Sequence, residues 1–81
     1  MEKTTAKEIA ETMATKAALV NMARREGTYK NMRECPFYSE LYGMYQTLKI
    51  MGVEVDYNYN AEVTEITAVT VDGVTVALST L

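Results

Sequence analysis

The chain has no histidine, no tryptophan, one cysteine, one proline and, after Lys49, no basic residue at all. Without histidine the commonest general base and metal ligand is gone, and the lone Cys35 can neither close an internal disulfide nor supply a structural zinc site. No G-x-S-x-G, Walker A, G-x-G-x-x-G or paired-cysteine spacing occurs, which removes the usual nucleophile elbow and phosphate-cradling loops. The expectation is a protein that is not an enzyme and takes no cofactor and no metal. Ala17 to Val20 is about the longest uncharged apolar stretch, far short of the roughly 20 residues that cross a bilayer, so no membrane partner is expected. The start, Met1-Glu2-Lys3-Thr4-Thr5, lacks the apolar core of a signal peptide and the arginine-rich pattern of a transit peptide. With the lone thiol, that points to the cytoplasm.

At 81 residues the chain reads as a single small α+β domain over 1–81. A chain of this size buries only about 60–65% of the surface that its unfolded form exposes. Apolar burial and ordering entropy nearly cancel at this length unless staples or partners are added. Staples are absent, so self-association into a homo-oligomer is the expected source of further stability.

The first helix is predicted over residues 5–26. Thr5 and Glu8 have the spacing of a capping box, and Gly27 offers the left-handed stop. Ile9, Met13, Ala17 and Val20 form its core stripe, while Ala6, Ala10, Ala14, Ala18 and Ala23 keep the helix slim enough for a second backbone to approach. Residues 27–35 carry no period and end at Pro36, which suits a first helical turn. The second helix is predicted over 36–51, with Phe37, Leu41, Met44, Leu48 and Met51 as its stripe and Gly52 as its stop.

From Val53 the period becomes two. Strands are predicted over 53–59, 62–71 and 74–80, with Asp72-Gly73 as a two-residue type I′ turn. That turn sets Val71 opposite Val74, Val69 opposite Val76 and Thr67 opposite Leu78. Ile66 then falls on the wrong face, which marks a bulge, a second buried surface or a contact with another chain. The whole is an ααβββ arrangement, two helices followed by an antiparallel meander, with the helices packed on one face of the sheet.

Charge divides the chain. Residues 1–50 hold all eight Lys and Arg with six acids, and residues 51–81 hold five acids and no base. Arg24, Arg25, Lys30 and Arg33 cluster around the end of helix one and the following loop, beside Tyr29 and the start of helix two. Arginine forks and a stacking ring suit a small anionic ligand such as a nucleotide, the second functional reading. A net charge of −3 argues against nucleic acid as the principal partner. Glu54 and Asp56 share a strand face as a solvated pair rather than a cation site.

Six tyrosines are many for 81 residues. Tyr38, Tyr42 and Tyr45 form a second stripe on helix two, rotated about 100° from the first, and Tyr57 and Tyr59 extend it if the sheet lies alongside. Tyrosine buries a rigid ring while its hydroxyl stays hydrogen-bonded, which suits an interface. The leading expectation is therefore a small protein-interaction module, of the accessory or inhibitor type that phages and mobile elements carry. Its contact surfaces would be Tyr38, Tyr42 and Tyr45, Ala10 and Ala14, and Ile66. Cys35, at the start of a helix next to Arg33, is read as a small buried hydrophobe rather than a reactive thiolate.

Overall fold

A computed structural model describes residues 1–78 and has the expected α+β layout: helix α1 (Lys3–Glu26), a single 3-10 turn (Met32–Glu34), helix α2 (Pro36–Ile50), and strands β1 (Val55–Tyr59), β2 (Ile66–Val71) and β3 (Val74–Ala77). Residues 79–80 of the third strand expected from sequence lie outside the described residues.

Both helices stop as their glycines dictate. Gly27 adopts φ 64°, and the Thr28 N–H reaches back to the Ala23 carbonyl at 3.1 Å; Gly52 adopts φ 78°, with the Val53 N–H on the Leu48 carbonyl at 2.9 Å. Each closure satisfies carbonyls that the end of a helix would leave bare. The start of α1 departs from expectation. Thr5 and Glu8 form no capping box; the helix begins two residues earlier behind Glu2, whose side chain makes no cap bond. Ala6 is buried in that first turn, so packing carries the helix past the local signal.

The sheet order is β1-β2-β3, antiparallel throughout. Asp72 (φ 49°) and Gly73 (φ 82°) both take positive φ, as a type I′ turn requires. The turn sets the expected pairs Val71 with Val74 and Val69 with Val76. Between β1 and β2 the register slips: Asn58 pairs with Ala68 but Tyr59 with Ile66, leaving Thr67 as an extra residue. This bulge corrects the reading of Ile66 as a contact surface. One inserted residue reverses the alternation, so Ile66 turns onto the core face with Val69 and Val71 and is only 8% exposed.

α1 lies on β2 and β3. Its innermost residues are the alanines: Ala6, Ala10, Ala14 and Ala17 flank Met13 and Val20, and Ile9 sits at the margin. Ala10 and Ala14, read from sequence as a surface for a second chain, are 0% exposed. Their small side chains do admit a close neighbour, but that neighbour is the sheet of the same chain, where each large apolar side chain buried contributes roughly 1.5–3 kcal/mol. α2 packs beside α1, tied by a 2.6 Å bond from Lys16 to Glu40, and reaches the sheet mainly at β1.

Candidate functional site

The tyrosine stripe of α2 and the tyrosines of β1 face each other across a groove of about 730 Å³, within the roughly 300–1,000 Å³ typical of ligand sites. Tyr38, Tyr42 and Tyr45 form one wall, Tyr57 and Tyr59 the other, and Val20, Leu41 and Ile66 the floor. Helical spacing of 4 and 3 puts the first set on one side of α2, and the strand period of two puts the second on one face of β1. Tyr45 and Tyr57 close part of the groove, ring centroids 5.7 Å apart and tilted by 32°, with the Lys49 ammonium 5.3 Å from the Tyr45 ring. Tyr42 (56% exposed), Tyr59 and Val63 (68% exposed) rim it. Three of the large apolar side chains that water reaches thus converge on one place.

The β1–β2 connection is held unusually firmly for a surface loop. The Asn60 side-chain oxygen accepts from the N–H of Thr64 (2.9 Å) and of Glu65 (3.2 Å), the Arg24 guanidinium donates to the Thr64 carbonyl (2.8 Å), and Arg25 pairs with Glu65 at 2.9 Å. The buried amide of Asn21 receives the Ile66 N–H (3.0 Å) and donates to the Ile66 carbonyl (2.8 Å), standing in for a neighbouring strand. Inside this frame Val63 is forced to φ 55°. A β-branched residue there is a genuine outlier, and such strain persists only where surrounding bonds over-determine it. Its result is a valine side chain held out at the groove rim.

Tyr57 carries the site's one polar anomaly. Its hydroxyl is buried and has no hydrogen-bond partner among the described residues, although buried phenols normally find one. Burial pushes its pKa well above the ordinary range, and Tyr59, Tyr45 and Tyr38 add to the shift in the same direction.

The cations assigned to an anionic ligand do not converge. Arg24 lines the tyrosine groove but is tied to Thr64, Arg25 is neutralised by Glu65, and Arg33 lies in a separate recess with Tyr38, Ser39 and Tyr42. Lys30 is exposed, and Tyr29 lines neither cavity. The sequence placed these five residues together; the helix end fans them apart and the β1–β2 loop engages two of them. Cys35 is fully buried. Among the described residues no three Cys, Asp or Glu side chains gather as metal ligands, and no helix is long and apolar enough to cross a membrane.

Sequence reasoning missed Asn21 and Val63. Asn21 had a signal, a poor helix former in mid-helix between Val20 and Met22; Val63 had none. Comparison with protein families, with curated proteins and with solved structures finds no match to this chain.

Proposed function

We propose that this protein is a non-enzymatic interaction module that captures a partner polypeptide in the groove between α2 and β1. The supporting observation is the convergence of exposed Tyr42, Tyr59 and Val63 on one rim, around tyrosines already fixed by packing. Isolated surface apolar residues are ordinary, but a contiguous group rimming a cavity marks a contact site. Tyrosine-rich, prefixed walls keep the ordering cost of binding low. The anionic-ligand reading has less support, because its cations point to three different places. Self-association through the alanine stripe loses its surface to the sheet.

Selection of a displayed random peptide library on the immobilised protein tests the proposal. Enriched peptides should bind the parent and weaken on Tyr42→Ser by about 30-fold, the equivalent of a hot-spot loss near 2 kcal/mol. A library that yields nothing above background, or binders indifferent to both Tyr42→Ser and Tyr59→Ser, would falsify it.

A further inference from the structure

Two helices lying side by side are about 20 Å across, since each is about 10 Å wide with its side chains. Three strands at about 4.8 Å spacing make only about 14 Å of sheet. The helical layer is therefore wider than the sheet by about one strand, and the groove is where the mismatch falls: α1 covers β2 and β3, and α2 meets the sheet mainly at β1.

The backbone of β1 matches that vacancy. The Glu54 carbonyl accepts from the Asp72 N–H at 2.8 Å, and the Asn60 N–H donates to the Glu65 carbonyl at 3.0 Å, which fixes the phase of the ladder. In an antiparallel pair alternate residues point their N–H and C=O to the neighbour and the rest point away. Asp56 and Asn58 thus face β2, while Val55, Tyr57 and Tyr59 direct their backbone groups to the open edge, beside the groove that their own side chains line. Among the described residues no strand lies on that side, because β1 is terminal in the sheet.

Charge selects the occupant. Glu54, Asp56 and Glu62 are exposed and belong to none of the ion pairs of the described residues. By the strand period Glu54 and Asp56 turn their side chains to the sheet face opposite Val55 and Tyr57, although Asp56 also borders the groove, and the alternate side chains of an added strand would lie next to them. A second copy of this chain could offer β1 or β3, and neither contains a base. We infer that the groove takes a fourth β-strand from a different protein: an extended segment of about five residues that hydrogen-bonds to the edge of β1. Its alternate apolar side chains would enter between the tyrosine walls, and Lys or Arg would stand between them, beside Asp56. This rests on the interaction-module reading and adds the mode of binding and the chemistry of the partner.

The test uses the full chain, ¹⁵N-labelled, and alternating nonapeptides with Val, Phe or Tyr at odd positions and Lys or Glu at even ones. Amide hydrogen exchange of Val55, Tyr57 and Tyr59 is read with and without peptide. The lysine peptides should slow exchange at these three amides and bind more tightly than their glutamate counterparts. Each charge contact is worth about 1.5- to 5-fold, the cross-strand opposite-charge increment of roughly 0.2–1 kcal/mol expressed as affinity. Asp56→Lys, at an exposed and unpaired position, should reverse the preference. Protection by no peptide, or equal protection by both charge types, overturns the inference. Protection that rises with protein concentration in the absence of peptide also overturns it, in favour of a second copy. Peptides that shift Tyr42 and Tyr59 side-chain signals while leaving the three amides unprotected refute strand addition and leave the interaction module standing; the module itself fails only on the library selection.

Discussion

The two helices meet the same sheet in opposite ways. α1 presents alanines, which are buried in one cluster with Val69 and Val71. α2 presents tyrosines toward β1, which touch at Tyr45 and Tyr57 but hold the two elements apart over the rest of their length. Small side chains close an interface because nothing props it open; large rigid rings meeting at an edge leave room between them. The first contact stabilises the fold, and the second leaves a cavity.

The largest effect should come from the link between these regions. Asn21 stands on α1 and holds Ile66 of β2 by two hydrogen bonds. Asn21→Ala leaves a buried donor and acceptor unsatisfied, at about 1–3 kcal/mol each, and should lower the urea midpoint more than Ala10→Leu does. The bulge should loosen with it, seen as faster exchange at the Ile66 amide. Ala10→Leu attacks the closed interface directly. Overpacking there should cost about 1–3 kcal/mol, whereas a monomer that exposed Ala10 to a partner would lose nothing, so the same melting curve decides between those two surfaces.

How legible each region was follows from the range of the interactions that made it. Helix stops at Gly27 and Gly52, the Asp72-Gly73 turn and the tyrosine stripe are set by residues within a few positions of one another, and all were readable from spacing. The bulge was readable only as one of three alternatives for Ile66, because what secures the backbone beside the extra Thr67 is Asn21, 45 positions before Ile66. The scattered cations failed for the same reason, since Arg24 and Arg25 are claimed by Thr64 and Glu65 across 40 residues of chain. Of the groove, its α2 wall was visible in the sequence; that β1 would face it was conditional, and its strained valine rim was invisible.

Val63 separates the two regions by the sign of its effect. An L-residue in the left-handed region bears about 1–2 kcal/mol of strain, which asparagine largely escapes. Val63→Asn should therefore stabilise the chain by about 1 kcal/mol and raise its Tm, while weakening peptides that engage the groove rim. A substitution that raises stability and lowers binding would identify the strain as serving the groove. A loss of stability would mean instead that the exposed valine packs more than its 68% exposure implies.

The smallest effect expected lies at Tyr57, and pH brings it out. Its hydroxyl is buried and unpartnered among the described residues, and its pKa is raised above the ordinary value of about 10. Folded chains therefore keep this proton at pH values where unfolded chains have lost it. The unfolded state binds fewer protons above about pH 10, so stability is fully present below that value and declines as pH rises toward the folded pKa. Tyr57→Phe should leave the ring stacked on Tyr45, gain up to about 1 kcal/mol at neutral pH by deleting an unsatisfied hydroxyl, and remove this residue's share of the alkaline decline. Parallel urea midpoints at pH 7, 9 and 11 measure both. Equal slopes for the two proteins would mean that the hydroxyl finds solvent or a partner in the folded chain.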